Sequence, residues 1–235
     1  MTSTWDSLDT EAEKIKTLTN QQLPQICSVL KNAISTLADG FLEVEIKGED
    51  AAHAQQGLYS QNLNSLKCSV NLAMRGYYTQ STGILRGVYE NWIAFHYLSE
   101  FPLKANCWLN KNQRPPKHAV MLNALGPDFI ENKNDARGWY GALCRFAHTD
   151  ALVVLPHLGS HQGEPCAFVG VMYKRDLFKT CAYSISLFAS IMLREISKMI
   201  PPNSDWQQRF IKSIQSLLQL IEDENVEFKK NIDKQ

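Results

Sequence analysis

Neither sign of charge prevails in this chain: 24 Lys and Arg stand against 24 Asp and Glu over 235 residues. A uniformly basic nucleic-acid binder is thereby excluded, though a local basic patch is not. Long apolar runs are also lacking. The longest uncharged helical stretch, between Lys179 and Arg194, holds 14 residues and includes Tyr183, Ser184 and Ser186. A membrane span needs roughly 20 apolar residues, so this stretch reads as a buried helix and no membrane partner is expected. The acidic start, MTSTWDSLDTEAEK, has neither the basic opening nor the apolar run of a secretory leader, which points to the cytoplasm. No two of the six cysteines (Cys27, Cys68, Cys107, Cys144, Cys166, Cys181) form a C-x-x-C pair, so reduced thiols are the simplest reading. Repeats, low-complexity tracts, phosphate loops, dinucleotide fingerprints and nucleophile elbows are missing too, and no cofactor is implied.

What the chain does have is helical periodicity. Apolar residues make up 44% and charged residues 20%, a balance suited to a folded domain. Apolar residues recur at spacings of three and four over most of the length. The expected fold is all-α: an antiparallel helical bundle in one domain over 1–235, with an N-terminal helical arm (1–50) and a bundle core (51–230). Helices are expected over about 9–37 with a break near Pro24, 61–77, 82–99, 135–148, 175–199 and 204–229. Ile15, Leu18, Leu23, Ile26, Leu30 and Ile34 form the first apolar stripe, with Asp39-Gly40 as its stop. Thr79 or Ser81 is the expected cap of the third helix. Residues 41–46 read either as a short strand or as a further helical turn. Short helical pieces interrupted by Pro115, Pro116, Gly126 and Pro127 fill 103–133. Apolar runs around Pro156, Gly159, Gly163 and Pro165 suggest a β-hairpin or an ordered loop near 151–173.

Charge is unevenly distributed along the chain. Residues 1–65 carry a net −5 and residues 66–148 a net +5, while the remainder is balanced. Such blocks suit either a phosphate-facing surface or an acidic arm packing on a basic body.

Two segments concentrate chemistry: Leu85-Arg86-Gly87-Val88-Tyr89-Glu90 and Trp139-Tyr140-Gly141-Ala142-Leu143-Cys144-Arg145-Phe146-Ala147-His148. Arg86 and Glu90 share a helix face at i,i+4, and Arg145 and His148 are neighbours at i,i+3. A guanidinium clamps a phosphate and stabilises its developing charge; an imidazole titrating near neutrality moves a proton. Together they form a minimal kit for phosphodiester chemistry, with Arg145 and His148 in the catalytic roles. Arg86, Glu90, Tyr140 and Arg137 would bind or orient. The same residues have a structural reading: Arg145 pairing with Glu90, and His148 capping backbone carbonyls at a helix end.

A helix reading Leu-Arg-x-x-x-Glu, followed by one ending Arg-Phe-Ala-His-Thr-Asp, resembles the HEPN-related bacterial helical proteins over roughly residues 55–200. The resemblance implies a helical bundle, a homodimer or other homo-oligomer, and in many members metal-independent RNA cleavage in toxin–antitoxin or phage-defence systems. The family's motif is an Arg followed a few residues later by a His. Here the spacing departs from it, with two residues between Arg145 and His148 and ten between Arg137 and His148. Arg137 shares a face with His148 but lies about 16 Å away along an unbroken helix, too far to hold the same phosphate. The alternative function is therefore a catalytically inactive module binding a nucleotide, RNA or a partner protein.

Other combinations carry less. His157, His161 and Cys166 resemble a fragment of a zinc site without a fourth ligand, so no metal is expected. His96, four residues after Trp92, reads as a core histidine. Tyr77 and Tyr78 near Arg75 fit base stacking or, more simply, core packing.

Overall fold

A computed structural model describes residues 4–44, 50–110, 112–126, 133–148, 158–161, 164–167, 171–200 and 205–232, with side chains for all but 133–139, 159–161, 165–167 and 224–232. The fold is an all-α bundle. Its long helices are α1 (Thr4–Gln22), α2 (Pro24–Glu43), α3 (Asp50–Met74), α4 (Tyr78–Glu100), α7 (Lys133–Ala147), α8 (Arg175–Ser197) and α9 (Asp205–Ile232). A 3-10 turn (Pro102–Lys104) and the short helices α5 (Asn106–Leu109) and α6 (His118–Ala124) lie between α4 and α7. Strands β1 (Leu158–His161) and β2 (Glu164–Ala167) pair antiparallel in the expected hairpin region.

The break expected at Pro24 separates α1 from α2. Pro24 takes the first position of α2, where its missing N–H costs nothing. The apolar stripe is shifted from the expected one: Leu23, Cys27, Leu30, Ala33 and Leu37 are buried, while Leu18, Ile26 and Ile34 lie at its edges. α2 packs against α8 and α9, so among the described residues of 1–50 it is α1 that lies outside the main core. The helix also runs past the expected stop. Gly40 sits inside α2 because a Cβ there would lie 2.7 Å from the indole of Trp206. That indole is fully buried and donates to the Thr36 carbonyl at 2.8 Å, and the Thr36 and Ser213 hydroxyls meet at 2.9 Å. Residues 41–43 continue the helix; 45 and 46 lie outside the described residues.

α3 and α4 form the bundle's most extensive pair, and α3 begins well before the expected residue 61 because small Ala51 and Ala54 already bury there. Gly76 closes α3 with a φ of 87°, its N–H reaching the Ala73 carbonyl at 3.1 Å while the Tyr77 N–H reaches the Leu72 carbonyl at 2.9 Å. This two-bond cap satisfies the terminal carbonyls and reverses the chain. The expected hydroxyl cap of α4 is not used: Tyr77 occupies the N-cap, and Thr79 and Ser81 are buried inside the helix. Ser69 and Ser81 instead exchange hydroxyl-to-carbonyl bonds at 2.9 Å each. Further along, Asn62 Nδ2 donates to the Val88 carbonyl at 3.1 Å and Gln55 Nε2 to the Phe95 carbonyl at 3.0 Å. The three pairs lie symmetrically about the turn, which fixes the helices as antiparallel.

α8 is the one helix among the described residues long and apolar enough to cross a membrane. Phe178, Ala182, Ile185, Ala189 and Leu193 are fully buried against α2, α3, α4 and α9, so it serves as the central core helix. Tyr78 links its start to α4. The phenol accepts a bond from the Lys174 N–H at 2.9 Å, and burial pushes its pKa up to about 12.

Candidate functional site

α4 turns Gly83, Arg86 and Glu90 toward α7. At Gly83 the missing side chain allows close approach: a Cβ would lie 3.2 Å from the Phe146 carbonyl. The last turn of α7 therefore seats directly on α4, and His148, one residue past that helix, comes level with Arg86, one turn beyond Gly83.

Arg86 is the hub. Its Nε–H donates to Glu90 Oε1 at 3.0 Å and Nη2–H to the Tyr140 hydroxyl at 3.3 Å, while Nη1 lies 2.9 Å from His148 Nε2. Tyr140 in turn donates to Glu90 Oε1 at 2.8 Å. The guanidinium carbon also sits 5.5 Å from the Tyr140 ring centroid. A guanidinium can only donate, so in this arrangement His148 Nε2 accepts and the imidazole is neutral with its proton on Nδ1. Three of the five guanidinium N–H groups are engaged, leaving one on each terminal nitrogen.

The electrostatics follow from this geometry. Burial works against the charge on Arg86, but the bond and charge of Glu90 outweigh it and raise its pKa above the ordinary value. Burial, reinforced by the adjacent Glu90 carboxylate, pushes the Tyr140 phenol up to about 12, so it stays a proton donor at neutral pH.

A second histidine joins the cluster. His118, at the start of α6, stacks on Tyr140 with centroids 4.2 Å apart and planes 16° from parallel. Tyr89 packs on both rings, at 5.3 Å from His118 and 5.6 Å from Tyr140. The His118 Nε2 and the Tyr89 hydroxyl are buried without a hydrogen-bond partner among the described residues. Burial lowers the pKa of His118; Arg86 adds to that effect and Glu90 opposes it. Nothing local in the sequence marks His118, which follows a Pro-Pro-Lys loop and joins the site only through the packing of α6 on α4.

The structure thus brings together Arg86, Glu90, Tyr140 and His148. Arg145 takes another position. It is exposed on the last turn of α7, about 140° around the helix from Tyr140, and the guanidinium bonded to His148 is that of Arg86. Glu90 likewise bonds Arg86 and Tyr140. Arg137 is on α7 one turn before Tyr140, and its side chain lies outside the described residues.

The remaining candidates are structural or fall outside the description. His96 is half-buried, 3.5 Å from Glu195. Tyr78 is buried in the core, Tyr77 is half-buried at the α3–α4 turn, and Arg75 pairs with Glu13. His157 lies outside the described residues, and no group of three metal-ligating side chains occurs among those described. A groove of about 1000 Å³ opens between α2, α8 and α9, lined in part by Ile26, Val29, Arg175 and Gln219, and it shares no residue with the Arg86 cluster. No family model, curated protein or solved structure matches this chain.

Proposed function

We propose that this protein is a metal-independent endoribonuclease with the Arg86 cluster as its site. The observation that carries this reading is the 2.9 Å approach of Arg86 Nη1 to His148 Nε2, an anion-binding group beside a proton acceptor at an exposed helix end. Arg86 takes the role that the sequence reading gave to Arg145. The HEPN-like resemblance supports the same chemistry and implies a toxin or phage-defence setting.

In the free site Arg86 occupies the His148 lone pair. A phosphate held by the terminal nitrogens of Arg86 would compete for that Nη1–H and release the imidazole nitrogen. His148 Nε2 then accepts the proton of the 2′-hydroxyl as the 2′-oxygen bonds to phosphorus. The P–O5′ bond breaks, the 5′-oxygen takes a proton from water, and the His148 imidazolium returns its proton to the hydroxide left behind. The products are a 2′,3′-cyclic phosphate and a 5′-hydroxyl. The fixed charge of Arg86 stabilises the charge gathering on the phosphoryl oxygens. Glu90 and the Tyr140 phenol orient the guanidinium.

Glu90 favours a second reading, because it already neutralises much of the Arg86 charge: a module that binds a nucleotide or RNA without cleaving it. The two readings separate in one experiment. Wild type, Arg86→Ala and His148→Ala are incubated with mixed RNA in the presence of a chelator. Cleavage by wild type alone supports the enzyme. RNA binding without cleavage, insensitive to His148→Ala, supports the module.

A further inference from the structure

α6 is held to the bundle by little. Only Met121 of its seven residues is buried, and the helix rests on α4. The backbone bonds of 117–126 all close within that segment, and among the described residues no side-chain hydrogen bond or ion pair leaves it. Both ends allow a change of direction. Pro115 and Pro116 precede the helix, and Gly126 follows it with a φ of 81° and nothing within 4 Å of a Cβ built there. A short helix so held can swing outward as a unit.

What its first residue touches is aromatic and polar. The His118 ring stacks on Tyr140 at 4.2 Å, nearly parallel, and Tyr89 packs on both. Tyr89 is only 4% exposed, yet its hydroxyl and the His118 Nε2 find no partner among the described residues. The two rings are neighbours and each carries a group able to bond, but the imidazole does not satisfy the phenol. Such a mismatch costs stability. A planar heteroaromatic ring with more polar edge atoms than imidazole fits the same seat better.

The seat adjoins the anion-binding group. The Tyr140 hydroxyl is 3.3 Å from Arg86 Nη2, and the guanidinium carbon is 5.5 Å from the Tyr140 ring centroid. A phosphate on the terminal nitrogens of Arg86 and a ring on the Tyr140 face are therefore neighbours on the scale of one nucleotide. Unpaired bases of RNA bind proteins by stacking on aromatic faces of this kind.

We infer that the Tyr140 face now covered by His118 is the subsite for the nucleobase joined to the scissile phosphate, with α6 as its lid. The inference rests on the Arg86 cluster being the RNA site. The lid swings out, the base replaces the imidazole on Tyr140, and the Tyr89 hydroxyl bonds the polar edge of the base. His118 is thus a ring that the substrate displaces, and Tyr89 contributes to the choice of base.

Calorimetry with the nucleoside 3′-monophosphates, and with ribose 3-phosphate as the ligand lacking a base, tests the subsite without any cleavage. For wild type the best nucleotide binds about tenfold or more tighter than the sugar phosphate, the scale of one base stack. Tyr89→Phe weakens that nucleotide about fivefold, the loss of one hydrogen bond, and leaves the sugar phosphate as it was. His118→Ala tightens the nucleotides several-fold by removing the competing ring, again without moving the sugar phosphate. A purely structural His118 gives the opposite sign. Tyr89→Phe loses only an unpaired hydroxyl, so it keeps the test open should His118→Ala fail to fold. Equal binding of nucleotides and sugar phosphate by wild type, a Tyr89→Phe protein indifferent to every nucleotide, or weaker nucleotide binding by folded His118→Ala overturns the subsite. The expected pattern in a protein that cleaves no RNA removes the enzyme reading and keeps the subsite. Sugar phosphate binding that is lost in Arg86→Ala, with no gain from any base, does the reverse. No binding of either ligand removes both.

Discussion

Arg86 and His148 are 62 residues apart in sequence, yet a guanidinium nitrogen of one lies 2.9 Å from an imidazole nitrogen of the other. The glycine one turn before Arg86 makes this possible by letting the end of α7 rest on α4. Substituting the two arginines separately tests which one the chemistry uses. Arg86→Ala should lower RNA cleavage about 100-fold or more, the usual effect of removing a donor to developing charge. Arg145→Ala should stay within a few-fold of wild type. Initial rates on one fluorescent RNA suffice, and the reverse order of effects would return the anion-binding role to Arg145.

Gly83 and Gly87 make a matched pair on α4. A Cβ at Gly87 meets nothing within 4 Å, so Gly87→Ala should stabilise the protein by up to about 1 kcal/mol through helix propensity alone. At Gly83 the same gain is offset by contact with the Phe146 carbonyl. Gly83→Ala should therefore leave thermal stability nearly unchanged while displacing His148 from Arg86 and reducing cleavage. Thermal unfolding together with activity distinguishes the two; equal behaviour of the variants would remove Gly83 from the account.

His118 predicts an acid limb in the stability profile. Its neutral form is favoured in the fold, with its pKa below the ordinary 6.5. The unfolded chain thus binds the proton first, and stability present above pH 6.5 is lost as pH falls through the folded value. Arg86, Tyr89 and Glu90 from α4 and Tyr140 from α7 are ionisable groups around it. His118→Phe keeps the ring stack and removes the titration. Denaturant midpoints measured across the acid range should flatten in the variant, and an unchanged slope would place the titration elsewhere.

Gly40 predicts a packing defect. A methyl group there would lie 2.7 to 2.8 Å from the fully buried Trp206 ring. Gly40→Ala should cost about 1–3 kcal/mol despite its better helix propensity, since neither ring nor backbone has room to yield. A raised melting temperature would contradict the close packing of α2 on α9.

Much of this architecture is legible from residue spacing. The Pro24 break, α4, α7, α8 and the hairpin region fall near their expected positions because periodicity and proline are local signals. Gly40 and Ser81 misled for a shared reason: both look like helix-end residues, yet a tertiary partner, Trp206 or Ser69, requires them inside helices. Of the site, the Arg86–Glu90 pair was readable at i,i+4. Which arginine meets His148 was not, since that depends on how closely α7 approaches α4, and spacing along one helix carries no information about another. His118 was beyond reach for the same reason.

The paired Ser69–Ser81 bonds and their amide counterparts along α3 and α4 act as pegs in successive holes. Sliding one helix by a single residue would unseat all of them at once, so α4 holds Arg86 at a fixed height in the bundle. Whatever accommodation an incoming ligand requires has to come from the outer pieces, α6 and the end of α7, which carry the two imidazoles.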